Sequence, residues 1–269
     1  MLWIYWKGAT LMKIVDINCL VGHWPFRKLY KNTFADLAEI HRGNGIEYGF
    51  VSSLNSIFYN DPFEGEEELH NIIKGTAYRH ILTINPSLPY FAEDIRAGVE
   101  LFNVSGVRIY PCYHDYMLNC EDMDRLCRIL SEYNLPLFLT LRMEDERLNY
   151  IIKPQPVNLE DIRLFSVRNR NLKIILLNIR LGEITRLKEL LIDQDNVYID
   201  TSGLKDQLFS IEKLTATLGA DKIIYGSEYA LFCLKSTLLE VVKAEIDENS
   251  KEKILFSNSK RLYKLRNND

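Results

Sequence analysis

The stretch from Gly106 to Leu141, GVRIYPCYHDYMLNCEDMDRLCRILSEYNLPLFLTL, holds one complete structural unit. Gly106-Val107-Arg108-Ile109-Tyr110 is a short apolar run that ends in turn residues. Met123, Leu126, Cys127 and Leu130 then recur at the i, i+3, i+4, i+7 spacing of one helix face, and Leu137-Phe138-Leu139-Thr140-Leu141 is a second short apolar run. Strand, helix and strand in that order predict a right-handed βαβ crossover and a parallel pair.

The same alternation extends in both directions. Candidate strands cover residues 14–19, 49–54, 81–85, 106–110, 137–141, 173–178, 197–200 and 222–225. Helical spacing centres on residues 34–41, 91–102, 159–165, 184–191, 208–218 and 238–246, and on Leu69, Ile72, Ile73 and Ala77. Thr33 with Asp36 reads as a capping box, Asn119 precedes the acidic pair Glu121 and Asp122, and Gly219 stands where a C-terminal cap falls. Eight β/α units without a linker or composition shift predict a single-domain α/β fold, a (β/α)8 TIM barrel over residues 12–265. Residues 1–11 read as an extension, with Met12 an alternative start, and residues 266–269 as a tail.

Composition narrows the function. The 269 residues carry 33 Lys and Arg against 37 Asp and Glu, a net charge of −4, with no basic block to bind nucleic acid or an anionic membrane. Five scattered cysteines without a C-x-x-C pair fit a reduced cytoplasmic protein, and no apolar run reaches the length of a membrane span. No glycine-rich phosphate loop follows any strand, so nucleotide cofactors lack support. A homo-oligomer is compatible with the sequence.

A TIM barrel places its chemistry at the carboxyl ends of the strands. Those ends supply Asp16 and Asn18, Arg108 and Tyr110, Arg142 with Asp145 and Arg147 behind it, Asn178, and Glu228; His23 and His114 lie in the following loops. Asp200 and Ser202 are weaker candidates, as are Trp24, Phe26, Phe58 and Tyr59, which read as loop packing. His41, His70 and His80 fall in helix or strand-start positions and read as structural. Arginine forks bind carboxylates bidentately, which points to a small anionic organic substrate. Asp16 is read either as a catalytic carboxylate or as half of a structural ion pair.

The strand-end residues resemble the amidohydrolase 2 branch of the amidohydrolase-related TIM-barrel hydrolases. That family opens with Asp-x-His-x-His, carries further histidines after strands five and six, and closes with Gly-Ser-Asp-Tyr-Pro. The corresponding positions here are Asp16-Ile17-Asn18-Cys19-Leu20, Leu139-Thr140-Leu141, Asn178-Ile179-Arg180-Leu181-Gly182 and Gly226-Ser227-Glu228-Tyr229-Ala230. The resemblance implies a barrel hydrolase with a divalent metal. None of the five histidines stands at a ligand position, so the expectation is that metal and cofactor are absent. The preferred reading is a metal-independent opening of a small lactone or ester, with Glu228, Asp16 and His114 catalytic. Arg108, Tyr110, Arg142, Asp145, Arg147, Asn18, Asn178 and His23 would bind the substrate. A non-catalytic ligand-binding barrel is the alternative; a decarboxylase, or a rearranged metal set of Asp16, His114 and Glu228, ranks lower.

Overall fold

The computed structural model describes residues 12–144, 154–205 and 207–263. Its strands are β1 (Val15–Val21), β2 (Tyr48–Ser53), β3 (Arg79–Thr83), β4 (Gly106–Ile109), β5 (Leu137–Thr140), β6 (Ile174–Leu177), β7 (Val197–Asp200) and β8 (Ile223–Ile224). They pair in parallel in chain order, β1 to β8. Closure of β8 onto β1 rests on Ile17 N donating to Tyr225 O (3.1 Å), Glu228 N to Asn18 O (2.8 Å) and Leu20 N to Tyr229 O (2.6 Å). The single-domain (β/α)8 barrel read from the sequence is the fold observed.

Between the strands come α1 (Phe34–Gly43), α2 (Pro62–Ile73), α3 (Phe91–Phe102), α4 (Pro111–His114), α5 (Glu121–Glu132) and α6 (Leu159–Arg168). They continue with α7 (Leu181–Arg186), α8 (Lys188–Asp193), α9 (Ser210–Leu218), α10 (Leu234–Val242), α11 (Glu248–Glu252) and α12 (Asn258–Tyr263). The capping box at α1 is present: Asp36 N donates to Thr33 Oγ1 and Thr33 N to Asp36 Oδ2, both at 3.2 Å. Gly219 closes α9 at φ 72°, which a side chain would resist. Asn119 does not cap α5; its amide donates to Asp161 Oδ1, and the cap position falls on Cys120. Helix α10 starts earlier than its sequence pattern suggested, because Leu234 already belongs to the buried face with Thr237, Leu238 and Val241. No helix among the described residues is long and apolar enough to cross a membrane.

The period of two along each strand sorts the barrel interior into layers. Val15, Ile17, Phe50, Ile81, Phe138, Ile175, Leu177, Tyr198 and Ile224 form the lower apolar cluster. Two residues onward, Ser52, Thr83, Thr140 and Asp200 are polar and buried. Beyond them, Leu20, Trp24, Leu54, Ile57, Tyr110, Met143 and Leu231 form an upper apolar cluster. A polar layer is thus sealed between two apolar ones. On β1 the parity changes, because the pairing with β2 shifts between Asp16 and Cys19. This bulge aims Asn18 inward beside Ile17 and turns Cys19 toward α1, the side that Asp16 already faces between Val15 and Ile17.

Gly106 shows how tightly the lower layer is filled. A Cβ there would lie 2.6 Å from the Phe138 ring and 3.1 Å from Pro136 Cγ. Gly106→Ala is expected to destabilise the fold by about 1–3 kcal/mol, measured by urea unfolding, and Phe138→Leu in the same chain should recover part of the loss. Equal stability of Gly106→Ala and wild type would contradict this packing.

Candidate active site

Arg108 is the centre of the polar layer. Its guanidinium is 1% exposed, an arrangement stable only if its N–H groups find acceptors. Nε donates to Thr140 Oγ1 at 2.8 Å and Nη1 to Asn18 Oδ1 at 2.9 Å, while the Tyr110 ring lies 5.0 Å from the guanidinium carbon. Among the described residues Nη2 faces only Met143 Sδ at 3.8 Å, a weak acceptor, so this edge can accept an anionic ligand.

From Asn18 the network runs round the barrel. Its Nδ2 donates to Asp200 Oδ2 (2.8 Å) and Ser202 Oγ (3.2 Å). Asp200 Oδ1 accepts the Asn178 backbone N–H at 2.8 Å, and Asn178 Nδ2 donates to Glu228 Oε1 at 2.7 Å. Lys205 Nζ, in the loop after β7, reaches Glu228 Oε2 at 3.3 Å. Asn178 and Glu228 both hold a left-handed backbone, φ 56° each, which costs energy for residues with a side chain. Such strain persists only where surrounding bonds impose it, and here those bonds link the two residues to each other.

Electrostatics follow from burial. Glu228 is wholly buried, and loss of water, with the nearby Asp200, pushes its carboxyl up to about 8 against the opposing pull of Lys205 and Arg108. Burial also raises Asp200 and lowers Lys205. Lys205 is the network member that reaches solvent, with 27% of its side chain exposed against 0% for that of Glu228.

The loop after β1 closes the mouth. Trp24 is 1% exposed and packs edge-on against Phe26, Phe58 and Tyr113, as the sequence suggested for the first three. Arg27 ties this loop across the opening, donating to Glu144 behind β5 and to Leu231 O behind β8.

Of the residues expected at the site, Arg108, Asn18, Asn178 and Glu228 meet in the polar layer, and Tyr110 covers it. Asp16 does not join them: lying between the inward-facing Val15 and Ile17, it faces outward to His41, and the β1 bulge brings Asn18 into the layer instead. His114 donates Nε2–H to Ile57 O at 2.9 Å, which ties it to the turn Asn55–Ile57 after β2, and burial lowers its pKa. Arg142 sits behind Asn178, bonded to its carbonyl oxygen at 2.7 Å and paired with Glu183 of α7. His23 is exposed beside a groove of about 620 Å³ that Val21, Phe34, Phe58 and Ile72 also line. Asp145 and Arg147 lie outside the described residues. Lys205 was missed; it stands five residues past the end of β7, and only a longer scan of that loop would have found it.

The rearranged set of Asp16, His114 and Glu228 does not converge. Among the described residues, the group whose ligand atoms do converge is Asp16, Cys19 and His41, all within 4.8 Å of one another.

Residues 74–265 match the family model described as "Amidohydrolase". No curated protein matches the chain in sequence. Solved structures resemble it closely in fold. A TIM-barrel protein from Bordetella bronchiseptica aligns with a TM-score of 0.76 at 14% identity, over 93% of this chain and 98% of that one. The 5-carboxyvanillate decarboxylase of Novosphingobium aromaticivorans, complexed with manganese and a nitrobenzoic acid, gives 0.71 at 13% identity, over 96% and 97%. The dihydroxybenzoic acid decarboxylase of Polaromonas sp. JS666, with bound manganese and 2-nitroresorcinol, gives 0.70 at 12%, over 95% and 97%. The expectation that cofactor and metal are absent is corrected by these findings: two barrels of this fold hold manganese, and this chain gathers its own carboxylate, thiol and imidazole at one point. The sequence pattern could not show it, because His41 comes from a different element than Asp16 and Cys19.

A carboxyl whose folded pKa lies above its unfolded one binds its proton more tightly when folded. The associated stability is complete below about pH 4.5 and is lost as the pH rises toward 8. Glu228→Gln should remove up to one proton's share of that decline, about 1.4 kcal/mol per pH unit. Urea unfolding at pH 5, 6.5 and 8 measures it; parallel wild-type and variant profiles would refute the assignment.

Proposed function

The chain belongs to the amidohydrolase family, and on that premise we propose that it is an enzyme that donates a proton to a small carboxylic acid, releasing carbon dioxide. The observation that carries this reading is Glu228, a buried carboxyl raised to about 8, fixed by Asn178 and Lys205 in the layer that holds Arg108. Two structural relatives, both decarboxylases of aromatic acids, support the choice of reaction.

The residues divide the work as follows. Arg108 presents Nη2 to the oxyanion of the substrate and stabilises the negative charge that grows as the bond to the carboxylate breaks. The electron pair of that bond remains on the substrate carbon, which takes the proton of Glu228. Carbon dioxide leaves, and Lys205, reaching solvent, returns a proton to Glu228. The closed loop held by Arg27 keeps water from the intermediate. Opening of a carboxylate-bearing lactone, the reading preferred from the sequence, calls for an ionised base to activate water. A carboxyl that keeps its proton near neutrality is better matched to donation.

The polar layer does not fit a divalent ion. Each oxygen of Asp200 and Glu228 already accepts an N–H, and Arg108 places a fixed cation beside them. Asp16 Oδ2 accepts none, and among the described residues the group whose donor atoms could hold a metal is Asp16, Cys19 and His41.

Carbon dioxide release from 2,6-dihydroxybenzoate, 5-carboxyvanillate and related acids tests the proposal, with sugar-acid and aromatic lactones run in parallel and manganese supplied throughout. Glu228→Gln should lower kcat by about 10²–10⁴-fold and Arg108→Lys by about 10²–10³-fold. Turnover confined to lactones would restore the hydrolytic reading. Binding without turnover would identify the non-catalytic barrel.

A further inference from the structure

The bulge in β1 gives this barrel a second polar cluster, outside the sheet and facing α1. Asp16 Oδ1 is held by the backbone N–H groups of Asn18 and Ser227, both at 3.0 Å. That leaves Oδ2, buried and accepting no hydrogen bond, aimed at His41 Nε2 3.5 Å away. The same Nε2 lies 3.8 Å from Cys19 Sγ. A separation of 3.5 Å is long for a hydrogen bond between nitrogen and a carboxylate oxygen. It suits two ligands of one ion: tetrahedral bonds of zinc length put an oxygen and a nitrogen about 3.3 Å apart, and a nitrogen and a sulfur about 3.6 Å apart.

Three further features shape the site. His41 Nδ1 bonds to the Tyr78 hydroxyl at 3.0 Å, which orients the ring and leaves Nε2 as the ligating nitrogen. Gly49 on β2 keeps the space open, since a Cβ there would fall 2.5 Å from Cys19 Sγ and 3.0 Å from His41 Cε1. The Asp16 carbonyl oxygen, 3.5 Å from the sulfur, adds an oxygen donor to the surroundings. Asp16, Cys19 and His41 are each at most 1% exposed.

We propose that Asp16, Cys19 and His41 bind one borderline-soft divalent ion of the zinc class, buried between β1 and α1 and separate from the polar layer. A thiolate with an imidazole selects such an ion over manganese or magnesium, whose preferred ligands are oxygen. Binding expels the Cys19 thiol proton to solvent and fastens the helix to the strand. The proposal stands independently of the reaction assigned to the barrel mouth.

Cobalt(II) is the probe. The full-length protein, stripped of metal and titrated with Co²⁺, should bind one ion per chain, with a thiolate-to-cobalt charge-transfer band in the near ultraviolet and a raised Tm. An ion in the polar layer, which has no cysteine among its described residues, gives no such band. Cys19→Ser should abolish the band, whereas Cys233→Ser, altering an exposed cysteine, should leave it intact. Tyr78→Phe keeps all three ligands and should weaken binding by about 10–100-fold, which holds the test open if Cys19→Ser folds poorly. Failure to bind Co²⁺, binding without the thiolate band, or a band that survives Cys19→Ser would each overturn the proposal.

Discussion

A guanidinium buried in a barrel has few ways to remain stable, and Arg108 sets the terms for everything around it. Removed from water, the charge costs several kcal/mol unless acceptors and counter-charges surround it. Thr140 and Asn18 accept its N–H groups, and the carboxyls of Asp200 and Glu228 lie in the same layer. Each partner then constrains the next. Asn18, with its oxygen committed to Arg108, must present its amide N–H groups to Asp200 and Ser202. Asp200 in turn holds Asn178 in its left-handed backbone, and Asn178 fixes Glu228. One buried charge thereby orders five other strand ends.

Enclosure follows from the same economy. The polar groups are stable inside because apolar layers on both sides keep water from competing for them, with Phe138 and its neighbours below and Trp24, Tyr110 and Leu231 above. Arg27, bound to Glu144 and to the Leu231 carbonyl, fastens the upper layer with few contacts.

Much of this was legible in the residues. The alternation of short apolar runs with helix-period segments gave the barrel, because both periodicities are local and strong. Position at the carboxyl ends of the strands picked out Asn18, Arg108 and Asn178, and the strand-eight position marked Glu228. Asp16 was harder: strict alternation does not reveal a bulge, and a shift in pairing between Asp16 and Cys19 decides which side chains face α1. His114 and Arg142 were drawn toward the site by loop position, yet a backbone carbonyl captures one and Glu183 the other. Such competition between partners is a tertiary fact. His41 looked like an ordinary helix residue for the same reason, since its partners come from another element.

The β1 bulge has a thermodynamic consequence. Asn18 faces the barrel axis while its neighbours Asp16 and Cys19 face α1, so a four-residue arc of backbone serves two chemically distinct clusters. Displacing that arc to suit an occupant on one side alters the ligand geometry on the other. Were the proposed ion bound, its affinity and that of an anion at the mouth would be coupled reciprocally: whatever factor the ion imposed on the anion, the anion would impose on the ion.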